Sequence, residues 1–366
     1  MANHEYYMAR SLQLAERGRY TADPNPCVGC VIVKDGTIVG EGWHQKAGEG
    51  HAEVNALAVA GDKAYQADCY VTLEPCSHFG KTPPCADALI VAGVKRVIIA
   101  MTDPNPLVSG QGIDRLRLAG IDVIVGVLTE QAQHLNRGFC QRMRLQRPLV
   151  RSKIAMSIDG RTAMASGQSQ WITGPDARQD VQKLRAESSA ILTGIGTIIA
   201  DNPSLTVRPE GSWYPVEQAI RQPLRVIVDS QLKIPADSVV LTDSRPTLIA
   251  TLTENTRRLN ADVIQLPSQA EQVDLNVLMS ELAQRQINSV MVEAGSKLNG
   301  ALLQLGLIDE LLIYMAPKLM GDSARGLFHL PSLNEMSQAI DLAISDVRAI
   351  GKDWRITLTP QYKKGH

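Results

Sequence analysis

Short β-branched runs alternate with helical stretches along nearly all of this chain, and few architectures can absorb such a pattern. The alternation breaks once, in a polar stretch from 130 to 148 that carries Arg137, Arg142, Arg144 and Arg147 and ends at Pro148. Alternation of this kind builds sheets with helices on their faces, and a single interruption implies two such bodies. A length of 366 residues, at roughly 100 to 200 per domain, gives the same count. The expected domains are 1–146 and 147–366.

In the first half, strands over 30–33 and 38–40 flank Asp35-Gly36, a strong hairpin signal. A helix over 52–59, a strand over 69–73, a helix over 86–92 closed by Gly93 and a strand over 94–100 follow. In the second half, strands are expected over 150–157, 190–193, 225–228, 247–250, 289–292, 311–315 and 355–358, with helical stretches between several of them. The stretch from 130 to 148 is read as one connecting helix and the boundary.

Lys+Arg 37 against Asp+Glu 38 leaves no basic field for phosphate-dominated binding, and 4% aromatic residues leave few stacking platforms, so no nucleic-acid partner is expected. No stretch approaches the roughly 20 apolar residues of a spanning helix, and the first residues contain no apolar core with a cleavage site, so the expected setting is cytoplasmic, without a membrane partner. A small-molecule substrate and a homo-oligomer, dimer or tetramer, complete the expectation. Six cysteines in such a chain suggest buried thiols or metal ligands before disulfides.

The richest chemistry lies in His51-Ala52-Glu53 and in Cys76 and Cys85 after the strand at 69–73. One imidazole and two thiolates are three ligands, which leaves the fourth position of tetrahedral Zn²⁺ open for water. Both ligand sets fall at expected helix N-termini, where N–H groups and the dipole favour thiolates. Glu53, two residues past His51, can stand near the metal without binding it and move a proton from the acidified water to a leaving amine. That chemistry is hydrolytic deamination, and H-x-E followed by P-C is the pattern of zinc nucleobase deaminases. Eight residues separate the cysteines where the common form has two, so a loop must leave the metal and return, carrying His78 and Lys81 as donors for an anionic or carbonyl-bearing ligand. The alternative is a set of buried thiols and a core histidine.

Cys27-Val28-Gly29-Cys30 is a lone C-x-x-C running into a hairpin, which suits packed thiols better than a zinc ribbon or a redox site. Asn25, between Pro24 and Pro26, is placed either to read a base edge or simply to turn the chain. In the second half, Gly194-Ile195-Gly196-Thr197 and the segment from Gly295 to Gly300 set glycines between a strand and a helix, where bare N–H groups can meet a diphosphate. Neither matches a dinucleotide fingerprint or a P-loop in full.

With these residues in place the sequence resembles the bifunctional riboflavin-biosynthesis deaminase/reductase family. Pro24-Asn25-Pro26-Cys27-Val28-Gly29, His51-Ala52-Glu53 and the run from Glu74-Pro75-Cys76 to Cys85 are similar to its deaminase half. The second half is similar in Ser152-Lys153-Ile154-Ala155-Met156-Ser157-Ile158-Asp159-Gly160-Arg161, Ser169-Gln170-Trp171-Ile172-Thr173-Gly174, Asp201-Asn202-Pro203-Ser204-Leu205-Thr206-Val207-Arg208 and Glu293-Ala294-Gly295. Cys27 stands where an aliphatic residue is expected.

The resemblance implies an α/β protein, with an N-terminal cytidine-deaminase-like three-layer α/β/α domain followed by a dihydrofolate-reductase-like α/β domain. It implies Zn²⁺ and NADPH as cofactors, and deamination of 2,5-diamino-6-(5-phosphoribosylamino)pyrimidin-4-one followed by reduction of its ribosyl group to ribityl. His51, Cys76 and Cys85 would hold the metal, with Glu53 as the proton shuttle. Asn25, His44, His78, Lys81 and Asn105 would hold the first substrate. Ala155, Trp171, Thr197, Asp201, Gly295, Ser296, Lys297, Leu298, Asn299, Gly300 and Ala301 would touch NADPH. Ser169, Arg185, Leu205, Arg208 and Glu293 would hold the second substrate, the two arginines by bidentate capture of its phosphate. Lys153 and Asp159 would position the reacting ribose end. Two competing readings are a nucleotide or nucleic-acid deaminase with an unrelated targeting domain, and a binding module that has lost catalysis; the charge balance argues against the first and Glu53 against the second.

Overall fold

The structure is a computed structural model that describes residues 4–77, 84–106, 108–211, 213–214, 219–254 and 257–363. It divides into two compact units, Met1–Gln146 and Arg147–His366.

Unit 1 runs α1 (His4–Glu16), β1 (Gly29–Lys34), β2 (Thr37–Trp43), α2 (Ala52–Ala60), β3 (Asp68–Val71), α3 (Cys85–Val91), β4 (Arg96–Ile99), α4 (Gln111–Leu118), β5 (Asp122–Val125), α5 (Thr129–Leu135) and α6 (Arg137–Leu145). Its sheet has the order β2-β1-β3-β4-β5, with the hairpin strands antiparallel and β3, β4 and β5 parallel. Asp35 and Gly36 both adopt positive φ, 50° and 77°, as a two-residue turn matched to strand twist requires. Alternate residues sort the sheet faces. Cys30, Ile32, Cys69, Val71, Val97 and Ile99 pack on one side with Ala52 and Ala56 of α2, Leu89 of α3 and Leu116 of α4. Val31, Val33, Tyr70 and Ile98 pack on the other with Met8 and Leu14 of α1, Ala132 of α5 and Cys140 of α6. The result is three layers, α/β/α. The expected single connecting helix is two, broken at Asn136, whose buried side chain bonds both the N–H and the carbonyl of Cys27 at 2.7 and 2.9 Å.

Two glycines decide how closely α2 lies on the hairpin. A Cβ on Gly40 would stand 2.4 Å from the Ala56 carbonyl oxygen, and one on Gly42 would stand 2.4 Å from Ala56 N and 2.5 Å from the Ala52 carbonyl oxygen. Only bare backbone permits that approach, and it sets the helix that carries Glu53 and is capped by His51.

Unit 2 runs β6 (Leu149–Ser157), β7 (Arg161–Ala163), α7 (Pro175–Glu187), β8 (Ala190–Gly194), α8 (Ile195–Asp201), β9 (Leu224–Val228), α9 (Val239–Thr242), β10 (Thr247–Thr251), β11 (Asp262–Gln265), β12 (Ser268–Gln269), β13 (Gln272–Val273), α10 (Leu275–Gln284), β14 (Ser289–Val292), α11 (Ser296–Gln304), β15 (Glu310–Ala316), β16 (Arg325–Gly326), β17 (Asp341–Ile350) and β18 (Asp353–Gln361). Nine strands form one sheet, β11-β10-β9-β8-β14-β6-β15-β18-β17, parallel from β11 to β15 and closed at one edge by the antiparallel hairpin β17–β18. α10 and α11 cover one face through Leu278, Leu282 and Leu302. On the other face lie α7, through Val181 and Leu184, and α8 and α9, through Ile198 and Val240. A parallel sheet covered on both faces reads as near-continuous apolar runs, and Leu224–Val228 and Thr247–Thr251 are of that kind.

Candidate functional site

In unit 1, His51 caps α2 and Cys85 opens α3, while Cys76 lies on the loop after β3. Their ligand atoms lie within 4.8 Å of one another. His51 Nδ1 is 3.2 Å from Cys85 Sγ and 3.6 Å from Cys76 Sγ, and the Cys85 N–H donates to Cys76 Sγ at 3.3 Å. The Cys76 thiol is pulled down to about 4 by its hydrogen bond from Cys85 and, against the cost of burial, by His51. The same hydrogen bond, with burial, pushes Cys85 up, so the two thiols compete for one negative charge. A divalent cation at their centre would hold both as thiolates, and two soft sulfurs with one imidazole nitrogen form the donor set that Zn²⁺ takes in a catalytic site. The residues therefore fit zinc.

Glu53 is 3% exposed, and burial pushes its carboxyl up to about 7. It belongs to the same helix as the His51 cap but is not one of the three clustered ligands. Asn25 and His44 join this group. His44 Nδ1 is 3.1 Å from the Gly50 carbonyl oxygen, so as the N–H tautomer it donates there and its Nε2 accepts from Asn25 Nδ2 at 3.0 Å. Burial lowers the His44 pKa, which favours the neutral ring, and its centroid is 5.4 Å from that of His51 in an edge arrangement. Asn25 thus has its side-chain amide held by His44, while its backbone N–H donates to the Ala22 carbonyl oxygen at 3.0 Å as a turn residue does, so both readings of Asn25 stand.

His78 and Lys81 lie outside the described residues. Asn105 sits in the loop after β4, its N–H bonded to Asp103 Oδ1 at 2.8 Å. Glu74, which sequence reasoning passed over, ties that loop down: its buried carboxylate accepts from the N–H groups of Asp103, Gly110 and Gly112 at 3.0, 3.0 and 2.9 Å. A carboxylate two residues before a metal-ligand cysteine was the available signal. Cys30 faces Cys69, Sγ to Sγ 3.5 Å, and not Cys27, so the C-x-x-C is not a paired motif.

In unit 2, Lys153 of β6, Arg185 of α7 and Glu293 after β14 meet at the carboxyl ends of the parallel strands, where open α/β sheets place ligands. Arg185 Nε and Nη2 reach Glu293 at 2.6 and 3.0 Å, and Nη1 donates to the Thr206 carbonyl oxygen at 2.9 Å. The bidentate contact expected between Arg185 and a phosphate is thus already made to Glu293. Lys153 Nζ stands 4.0 Å from Glu293, its pKa lowered by burial. Arg208 is exposed and near enough for its charge to reach Glu293. Burial pushes the Glu293 carboxyl up, but Arg185, Lys153 and Arg208 outweigh that and bring it to about 2.

Asp159 does not face this cluster. Its carboxylate accepts from Ser157 Oγ at 2.5 Å and from the N–H groups of Met320 and Gly321 at 3.0 and 2.8 Å, so it ties the end of β6 to the loop after β15. Leu205 is buried in the core with Ile191 and Ile198, at a positive φ of 49°. Its side chain is committed to packing, which leaves its backbone as the part that can meet a ligand.

Gly295 caps α11 and Gly194 caps α8, so both glycine segments do open helices after strands. Ser296 and Lys297 form the first turn of α11, and Leu298 packs on the core. Asn299 is 1% exposed; it accepts from Ser152 Oγ at 2.7 Å and donates to the Ala294 carbonyl oxygen at 2.8 Å, so its amide is spent inside the domain. Gly300 faces protein as well, for a Cβ there would lie 2.2 Å from the His329 carbonyl oxygen. The contact expected of these two must come through the helix they build. Ala301 lies further along α11, Thr197 and Asp201 along α8, and Ala155 on β6 between Lys153 and Ser157. Ser169 precedes α7, as does Trp171, which is 63% exposed, outside any core.

Fold and site define a class: a zinc deaminase domain of the cytidine-deaminase type joined to a dihydrofolate-reductase-like domain. Residues 1–101 match the cytidine and deoxycytidylate deaminase zinc-binding region, and residues 148–356 match the RibD C-terminal domain. The riboflavin biosynthesis protein RibD of Escherichia coli (strain K12) is 53% identical over 357 residues, covering 95% of this chain and 97% of that protein. The structure of Acinetobacter baumannii RibD (form 1) is similar with a TM-score of 0.92 at 45% identity, covering 98% of this chain and 99% of that one. A Thermotoga maritima diaminohydroxyphosphoribosylaminopyrimidine deaminase/5-amino-6-(5-phosphoribosylamino)uracil reductase is similar with a TM-score of 0.87 at 34% identity, over 98% and 99% of the two chains. The chain belongs to the riboflavin biosynthesis protein RibD family of bifunctional deaminase/reductases. No helix among the described residues is long and apolar enough to cross a membrane.

Proposed function

We propose that residues 1–146 deaminate 2,5-diamino-6-(5-phosphoribosylamino)pyrimidin-4-one and that residues 147–366 then reduce the ribosyl group of the product with NADPH, giving 5-amino-6-(5-phosphoribitylamino)uracil. The observation that carries the first step is the convergence of His51, Cys76 and Cys85 beside the buried carboxyl of Glu53. Those three residues would hold zinc, which would supply the Lewis acidity that acidifies a water to a pKa of about 7. Glu53 takes the proton of the attacking water and returns it to the amino group, so that a C–O bond forms, the C–N bond breaks and ammonia leaves. Asn25, its Nδ2 held by His44, presents its carbonyl oxygen to the pyrimidine edge. His78, Lys81 and Asn105 complete this substrate site through their place in the motif.

In the second step the Lys153, Arg185 and Glu293 cluster orients the ribose end, with Ser169, Leu205 and Arg208 around it. Ala155, Trp171, Thr197, Asp201, Gly295 to Leu298 and Ala301 form the cofactor site, with Asn299 and Gly300 building the helix beneath it. NADPH supplies the hydride, and the protein's part is alignment.

We place this enzyme in the cytoplasm as a homo-oligomer. Support for a second copy comes from the outer hairpin, where Ile344, Val347 and Trp354, on one face by their pairing with Leu358, Ile356 and Ala349, are 65%, 50% and 46% exposed.

The test follows ammonia release and NADPH oxidation together from freshly generated substrate. Wild type should show both signals and Glu53→Gln neither, since the reductase then never receives its substrate. Oxidation by Glu53→Gln at the wild-type rate would reverse the proposed order.

A further inference from the structure

Trp171 is 63% exposed, yet it is held from three directions. Lys318 Nζ, just past β15, donates to its carbonyl oxygen at 2.6 Å. Arg178, in the first turn of α7, lays its guanidinium over the indole 4.6 Å from the ring centroid and donates to the Thr173 carbonyl oxygen at 3.0 Å. Gly174, the cap of α7, donates its N–H at 2.6 Å to Oδ2 of Asp353, which opens β18 and is 1% exposed. The turn before Asp353 is pressed on the same helix end, where a Cβ on Gly351 would lie 2.1 Å from Asp176 Oδ2.

Fixing an exposed ring costs conformational entropy and leaves apolar area in water, so the arrangement favours a ring kept ready for a ligand. Arg178 takes one face and leaves the other for a planar group. A cation on the near face weakens the indole's attraction for a second cation and repels it directly. The open face therefore prefers a neutral, electron-rich ring to a cationic one. The position of the ring along the sheet agrees. Lys318 is joined to the end of β6 by the Ile158 N–H at 3.0 Å, and β6 carries Lys153 of the ribose cluster. The proposed reduction takes place at that cluster, so a cofactor ring that reaches Trp171 from it is the one that delivers hydride.

We propose that the open face of Trp171 stacks on the nicotinamide ring, that Arg178 behind it selects reduced NADPH over oxidised NADP⁺, and that Lys318 and Asp353 are positioning residues for this platform. The proposal rests on the reading of Trp171 as a cofactor contact. The test titrates the full chain with NADPH and, separately, NADP⁺ by calorimetry, and measures KM and kcat of the reductase. Arg178→Met should weaken NADPH relative to NADP⁺ about two- to five-fold. Asp353→Ala should raise the KM for NADPH more than it lowers kcat, and Asp353→Asn, which keeps an acceptor for the Gly174 N–H, should restore it. Equal changes for both nucleotides in Arg178→Met, or an unmoved KM in Asp353→Ala, would overturn the proposal while a weakened Trp171→Ala kept the cofactor reading. Unchanged affinities in Trp171→Ala would remove that reading itself.

Discussion

Glu293 sets one carboxylate against Arg185, Lys153 and Arg208, and its charge balances a cluster that would otherwise repel itself. Its folded value of about 2 lies below the ordinary 4.5, so the stabilisation is complete above the unfolded value and is lost as pH falls from there toward 2. That difference corresponds to roughly 3 kcal/mol. Glu293→Gln should therefore lower stability at pH 7, and its denaturation midpoint should change less than that of wild type between pH 5 and 2; parallel curves would show that the carboxylate contributes nothing. Arg225 offers the opposite case, a cation 1% exposed whose Nη2 meets Asp243 Oδ1 at 2.7 Å. Asp243→Ala leaves that guanidinium only neutral acceptors, the Thr247 hydroxyl and the carbonyls of Ser204, Val240 and Arg245, and urea unfolding should show a loss of about 1 to 3 kcal/mol. Residue types and spacing show neither cluster, because each joins residues from different elements, and Lys153, Arg185, Arg208 and Glu293 are grouped in the sequence only through the family resemblance, whereas His51, Glu53, Cys76 and Cys85 announce themselves through residue types that have few other uses together.

Helix α2 illustrates how an element positions chemistry. Gly42→Ala should push α2 off the hairpin, moving the Glu53 carboxyl and the His51 cap together. Zinc content and ammonia release should fall together, stability should drop by about 1 to 3 kcal/mol, and reduction of the deaminated intermediate should persist; a normal zinc content would show that the helix tolerates the shift. The same level explains what could be read in advance. Strands such as Leu224–Val228 and Ser289–Val292 are covered on both faces, and their apolar runs are plain in the sequence. β17 escaped because a bulge between Ile344 and Asp346 breaks its period of two and because its residues face outward. The break between α5 and α6 falls at Asn136, two residues before Gly138, and what fixes it is Cys27, 109 residues away. Asn299 and Gly300 look like cofactor residues in a glycine-bearing turn, and only the packing of α11 reveals what they touch.

At the scale of the molecule, each unit has its own sheet and core, so each chemistry can be removed without unfolding the other. The order of reactions is then the only link that activity must reveal. Stripping the metal with a strong chelator should abolish ammonia release, because no described residue outside His51, Cys76 and Cys85 forms a comparable cluster. NADPH oxidation should vanish as well when the diamino compound is supplied, yet proceed when the deaminated intermediate is supplied, since nothing in the Lys153, Arg185 and Glu293 cluster involves those ligands. Zinc readdition should restore both signals from the diamino compound. If the stripped protein oxidised NADPH with the diamino compound, the reductase would be acting on undeaminated substrate; if it failed with the intermediate, the metal would be supporting the second unit, against the separation of the two cores.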